Sequence, residues 1–141
     1  MFELTDKVAV VAGGAGYLGL PVCKKLAEQG AAIVLADIND RQITAAINEI
    51  RSSVPTARLM GTVMDIGDES VVKNTLNRAV QEFGRLDILV NMTCKSTNKL
   101  LEDMSGDEMD AANHVNITGS FSSIKNNINM RVTISLWMPV F

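Results

Sequence analysis

Groups that titrate or shuttle protons near neutral pH are scarce in this chain. It holds one tyrosine, Tyr17, and one histidine, His114, in 141 residues. Tyr17 falls inside a glycine cluster, and His114 reads as a helix-surface residue rather than a catalyst. Cysteine is equally sparse: Cys23 and Cys94 lack metal-ligand spacing and read as reduced thiols in or near the core, consistent with a cytosolic protein. No apolar run approaches the roughly 20 residues that span a bilayer. The segment Met1–Lys7 carries charges where a signal peptide would be apolar. Neither charge sign dominates, and a net charge of −3 supplies no electrostatic basis for binding nucleic acid or an anionic membrane. These absences point to a soluble, cytoplasmic protein with no nucleic-acid, membrane or metal partner.

What is present is organised around Val8–Gly19. An apolar, β-branched run enters a cluster of glycines, and a helical pattern follows from about Leu18 to Glu28, closed by Gly30. Strand, glycine-rich turn and helix in that order open a dinucleotide-binding βαβ unit. One glycine makes the tight turn, one lets a diphosphate approach the backbone, and one allows helix and strand to pack closely. The spacing fits Gly13, Gly16 and Gly19 or Gly14, Gly16 and Gly19. The helix N-terminus, with free N–H groups and its positive dipole end, would face the phosphates.

The same alternation continues down the chain. Lys7–Ala12, Ala32–Ala36, Arg58–Met64 and Leu86–Val90 read as strands, the first two without polar alternation, as expected when both faces are covered. Between them, apolar residues recur at helical spacing: Leu18, Val22, Cys23 and Leu26; then Ile43, Ala46, Ile47 and Ile50; then Val72, Leu76, Ala79, Val80 and Phe83. The second helix is expected over Arg41–Ile50, with Pro55 barring its continuation, and Asp68 is placed to cap the third. Lys95–Gly106 reads as a loop, Asp107–Val115 as a helix that extends toward Asn127, and Arg131–Trp137 as a fifth strand. The fold class is therefore α/β: a Rossmann-like, doubly wound parallel sheet with helices on both faces, of about five strands, in a single domain over 1–141 with an atypical tail at 126–141.

Four successive strands end in Gly13, Asp37, Asp65 and Asn91. Ligands of open α/β sheets bind at the carboxyl ends of strands, so this is where a site is expected. Asp37, 24 positions after Gly13, is placed to accept hydrogen bonds from an adenosine ribose and to repel a 2′-phosphate. Ile38 follows it and the next basic residue is Arg41, which favours NAD over NADP.

With Ala12–Gly13–Gly14–Ala15–Gly16–Tyr17–Leu18–Gly19, Asp65–Ile66, Leu89–Val90–Asn91 and Val115–Asn116–Ile117–Thr118–Gly119, the chain resembles the short-chain dehydrogenase/reductases from residue 5 to about 125. The resemblance implies that Gly13, Gly16, Tyr17, Leu18 and Gly19 line the diphosphate. It places Asp37 and Ile38 at the adenosine ribose, and Asp65 and Ile66 beside the adenine. Asn91 and Thr93 would lie under the nicotinamide ribose. Asn116 takes the family's active-site asparagine position, which in complete members helps organise a water near the catalytic lysine.

The chain also departs from the family. Ala12 stands where Thr is usual, and Asn91–Met92–Thr93–Cys94 replaces Asn-Asn-Ala-Gly. The family's catalytic Tyr-x-x-x-Lys is missing. Its upstream serine would fall on Leu136, next to Ser135. A tyrosine with a pKa of about 10 needs a cationic neighbour to work near neutral pH, and no such pair occurs here. The implied function is NAD binding for hydride transfer with a carbonyl or alcohol, with no turnover expected of this chain alone. The alternatives are a non-catalytic dinucleotide-binding or interaction module, forming a homo-oligomer or pairing with a full-length relative, or a truncated gene product.

Overall fold

In the computed structural model, which describes residues 3–126 and 132–135, the expected alternation of strands and helices builds one parallel sheet. Its strands are β1 (Val8–Ala12), β2 (Ala32–Asp37), β3 (Leu59–Val63), β4 (Ile88–Asn91) and β5 (Val132–Ser135). Their spatial order is β3-β2-β1-β4-β5, so the chain steps outward from β1 in one direction and then reverses to the other side. The reversal falls at β1, and in open α/β sheets the crevice for a ligand lies beside the carboxyl ends of the strands at such a point. There Ala12 is in register with both Ala36 and Asn91.

Strand periodicity splits the core in two. Ala9, Val11, Ile33, Leu35, Ile88 and Val90 face one side and pack with Cys23, Ala27, Ala46 and Ile50 of the helices α1 (Gly19–Glu28) and α2 (Asp40–Ser53). Val10, Ala12, Val34, Ala36 and Leu89 face the other side and meet Val72, Leu76 and Ala79 of α3 (Glu69–Phe83). Every residue of β1 and β2 is buried, which explains their uninterrupted apolar sequences.

Local chemistry sets the helix ends. Asn39 accepts the Gln42 N–H and starts α2 at Asp40, one residue before the expected Arg41. The helix then runs to Ser53, past the expected Ile50, and stops short of Pro55. Asp68 accepts the Ser70 and Val71 N–H groups at the start of α3, and Gly84, at φ 79°, ends it. Val80, expected on the buried stripe, is exposed, because the sheet-facing line is completed by Thr75, Leu76 and Ala79. Leu18, also expected there, is exposed as well, standing at the N-cap of α1, before the first residue of the helix.

After β4 the chain forms a short 3₁₀ turn (Leu101–Asp103) inside the expected loop. It then makes α4 (Gly106–Asn113), a π turn (His114–Thr118) and α5 (Gly119–Lys125) in continuous succession. Ser105 and Glu108 open α4 with a reciprocal capping box. Cys23 is buried and Cys94 exposed, so the reading of both cysteines as core or near-core thiols is corrected for Cys94. Of the expected strand Arg131–Trp137, Val132–Ser135 runs parallel to β4. Arg131, Leu136 and Trp137, with the rest of the 126–141 tail beyond Asn126 and β5, lie outside the described residues.

Candidate functional site

The crevice is built first by the glycines. Gly13 turns the chain out of β1 at φ +73°, and its N–H and that of Gly14 both donate to the Ala36 carbonyl, at 2.7 and 3.2 Å. The Gly13 carbonyl accepts the Gly16 N–H at 3.1 Å, and a Cβ on Gly19 would stand 1.9 Å from that same oxygen. Gly19 is thus the close-packing glycine. Gly16 touches only the Gly13 carbonyl, at 3.3 Å from a notional Cβ, and is otherwise open, as a backbone surface for a phosphate must be. Gly13 is therefore the turning glycine and Gly19 the close-packing one, and of the turn's glycines Gly16 has the most open backbone. Gly14 is needed for another reason, since a Cβ there would lie 2.8 Å from the Val11 carbonyl and 3.1 Å from Cys23 Sγ.

At the N-terminus of α1, no side chain caps the helix and its first turn holds no acid. By contrast, α2, α3 and α4 each carry a capping side chain. The positive end of α1 is left uncompensated at the mouth of the crevice. Beneath it, Cys23 donates toward the Gly14 carbonyl at 3.6 Å, and burial pushes its thiol pKa up to about 12. It is an inert packing group.

The carboxyl end of β2 supplies Asp37, largely buried, whose carboxylate accepts the Ala15 N–H at 3.2 Å and the Asn39 N–H at 3.3 Å. Ile38, beside it, is exposed, and so are Tyr17 and Leu18 on the loop. Beyond β3, Asp65 is exposed and accepts the Gly67 N–H at 2.9 Å, while Ile66 is buried against the α3 side of the core. Only the backbone of Ile66 is available to a ligand, its side chain being committed to packing.

At the end of β4, Asn91 is buried and hydrogen-bonded through both ends of its side-chain amide. Its Oδ1 accepts the N–H and the hydroxyl of Thr93, at 3.0 and 2.7 Å, and its Nδ2 donates to Ser120 Oγ at 2.8 Å. Ser120 in turn donates to the Asn116 backbone carbonyl at 2.8 Å. The Asn116 side chain clasps the backbone of Lys95, accepting its N–H at 2.8 Å and donating to its carbonyl at 3.0 Å. Asn91, Thr93 and Asn116 are therefore joined in one network through Ser120, a residue the sequence reading does not single out. The available signal is its position four residues after Asn116 on one helical face. Met92 and Thr93 pass over Gly13, with a Cβ there meeting Met92 C at 3.0 Å and Thr93 N at 3.1 Å, so the glycine turn and the β4 end form one site. Among the described residues, no group of three or more His, Cys, Asp or Glu is placed to hold a metal ion, and no helix is long and apolar enough to cross a membrane.

Known proteins share the sequence pattern and the fold. The sequence profile of the family described as short chain dehydrogenase matches residues 7–131. The chain is 33% identical over 118 residues to the hydroxy(phenyl)methylsuccinyl-CoA dehydrogenase subunit BbsD of Thauera aromatica, covering 84% of this chain and 47% of that protein. It is 33% identical over 121 residues to the cyclopentanol dehydrogenase of Comamonas testosteroni, covering 86% of this chain and 48% of the relative. Among solved structures, an NAD+-bound xylitol dehydrogenase superposes with a TM-score of 0.82 at 29% identity, over 87% of this chain and 47% of that one. Levodione reductase shares the fold at a TM-score of 0.89 and 24% identity, over 94% of this chain and 54% of the other. The chain spans about half the length of the curated relatives it matches. A glycine turn closed by Asp37, a reversing parallel sheet and a profile match along most of its length place this chain in the short-chain dehydrogenase family.

Proposed function

We propose that this chain is a single NAD-binding domain, cytoplasmic in location, of a short-chain dehydrogenase/reductase acting between a carbonyl and an alcohol. The observation that carries the reading is the Asp37 carboxylate at the end of β2, tied to the Ala15 N–H and next to exposed Ile38. A carboxylate there hydrogen-bonds ribose hydroxyls and repels a 2′-phosphate, which favours NAD over NADP. The open backbone at Gly16 and the uncapped start of α1 fit a diphosphate, flanked by Gly13, Tyr17, Leu18 and Gly19. Asp65 and the Ile66 backbone would border the adenine, and Asn91 with Thr93 the nicotinamide ribose. When bound, the nicotinamide supplies the hydride or accepts it.

The chain's own residues orient such a group and do little more. Tyr17, the one tyrosine in the sequence, lies on the phosphate side of the site, and no Tyr-x-x-x-Lys follows. Asn116, at the family's active-site asparagine position, spends its side-chain amide on Lys95 and its backbone carbonyl on Ser120. The expected behaviour is NADH binding in the micromolar range without turnover. Titration calorimetry with NADH and NADPH tests this. No heat of NADH binding by folded protein would sink the reading, and sustained oxidation of NADH with a ketone by this chain alone would sink its inactivity.

A specific observation also favours self-association. Ile117, Phe121 and Ile124 are 57%, 61% and 50% exposed and recur at helical spacing, which leaves an apolar stripe facing water. A second copy of this chain is the proposed occupant. Sedimentation equilibrium is expected to show a dimer that Phe121→Asp dissociates. A wild-type monomer at high concentration would count against it.

A further inference from the structure

The turn that follows β3 is gripped from one direction by the π turn and the start of α5. A methyl group on Gly67 would stand 2.8 Å from His114 Cδ2, 2.9 Å from His114 Nε2 and 3.2 Å from Asp65 Oδ1. A Cβ on Gly119 would stand 2.9 Å from Ile66 Cγ2 and 3.0 Å from the Ile66 carbonyl. Val115, between them, packs on the core cluster that contains Ile66. His114 and Gly119 are five residues apart. In an α-helix at ~100° per residue they would point about 140° away from each other. Hydrogen bonding from i to i+5 in the π turn His114–Thr118 widens the coil and returns both to the same side. The irregularity thus has a geometric consequence: two adjacent residues of one turn are held by two points of one helix.

We propose that His114 is a positioning residue for the adenosine end of the dinucleotide site, its imidazole lying against Gly67 so that the Asp65–Gly67 turn is preorganised before the ligand arrives. The proposal rests on the dinucleotide reading given above. His114 is exposed, and its ring lies in the space that a side chain on Gly67 would enter. Asp65 is held in the same unit, its carboxylate accepting the Gly67 N–H at 2.9 Å. Without the ring, Gly67 regains backbone freedom, and ordering the turn becomes part of the cost of binding.

The full chain carries the test, with ADP-ribose as the probe of the adenosine side and reduced nicotinamide mononucleotide as the probe of the other. His114→Ala is expected to weaken ADP-ribose binding about fivefold by loss of preorganisation, with the mononucleotide changed less than about twofold. His114→Gln, which restores a flat polar group, is expected to recover most of the loss. Independently of any ligand, Gly67→Ala is expected to lower the melting temperature by roughly 3 °C when His114 is present and by much less in the His114→Ala background. Equal ADP-ribose affinity in wild type and His114→Ala would overturn the proposal, as would additive melting shifts in the double variant. A folded wild type that binds no ADP-ribose would instead remove the dinucleotide reading on which the proposal stands, while the melting cycle would still report whether the contact exists.

Discussion

The Ala15 N–H donates to Asp37 Oδ2 at 3.2 Å, so that the carboxyl end of one strand holds closed the glycine turn that follows another, 22 residues earlier in the chain. Asp37 therefore serves the loop and, in the proposed function, the ribose. The two roles separate in Asp37→Asn, which keeps a carbonyl oxygen for Ala15 but loses the charge. A hydrogen bond to a charged group is worth about 1.5–3 kcal/mol and a neutral one about 1, so urea unfolding should register a loss of roughly 1 kcal/mol. NADH affinity is expected to fall about tenfold, equivalent to about 1.4 kcal/mol, with NADPH relatively favoured. Unchanged discrimination between the two nucleotides by calorimetry would refute the ribose role.

Two glycines of the turn should respond differently to the same substitution. In Gly19→Ala the new methyl collides with the Gly13 carbonyl at 1.9 Å, backbone that cannot move without opening the turn. Overpacking of this kind costs about 1–3 kcal/mol, visible as a lower melting temperature. Gly16→Ala meets only the Gly13 carbonyl, at 3.3 Å, so the fold should tolerate it while the methyl blocks the open backbone face. The expected result is near-native stability with lost NADH binding. The reverse pattern would reassign the roles of the two glycines.

Asp87 lies at the amino end of the sheet and should affect stability alone. It accepts the Val8 N–H at 3.0 Å and is paired with Arg85, with Lys7 3.9 Å away. Partial burial pushes its carboxyl up, but the Arg85 hydrogen bonds, the Val8 N–H and the two cations outweigh that and hold the pKa below the ordinary 3.8. A depressed carboxyl stabilises the fold at pH above 3.8 and loses that contribution as the pH falls through its folded value. Asp87→Ala strands a buried N–H, a cost of about 1–3 kcal/mol in chemical denaturation. Binding of NADH should not change.

The start of α4 should fray in acid before the sheet does. Glu108 bonds Lys99 at 2.6 Å and the Ser105 N–H at 3.0 Å, and these hold its pKa at about 2, well below 4.5. The capping contribution is complete above pH 4.5 and disappears toward pH 2. Protection of the Glu108 and Met109 amides, measured against their intrinsic exchange rates at each pH, should fall across that window, and Glu108→Gln should flatten the response. Simultaneous acid unfolding of all helices together would argue against a separate α4 event.

How far these elements are legible in the sequence depends on how local their causes are. The buried strands β1 and β2, the cap at Asp68 and the stop at Gly84 rest on neighbouring residues, and periodicity exposes them. Leu18 and Val80 are misplaced by periodicity alone: Leu18 precedes the first residue of α1, and the buried face of α3 is made by Val72, Thr75, Leu76 and Ala79. Ser120 has no such local mark, because its value lies in bridging Asn91 and Asn116, 29 and four residues distant.

By itself the sequence determined the parallel α/β architecture, the glycine turn and the strand-end residues Asp37, Asp65 and Asn91, because hydrophobic period and glycine placement are properties of short segments. Only the tertiary structure decided which glycines turn, open and pack, that Ile66 offers backbone alone, and that a π turn sets His114 against Gly67. Each of these is a contact between segments that the chain brings together only on folding. Such contacts exist only once the sheet has reversed direction at β1 and brought its strand ends to one edge.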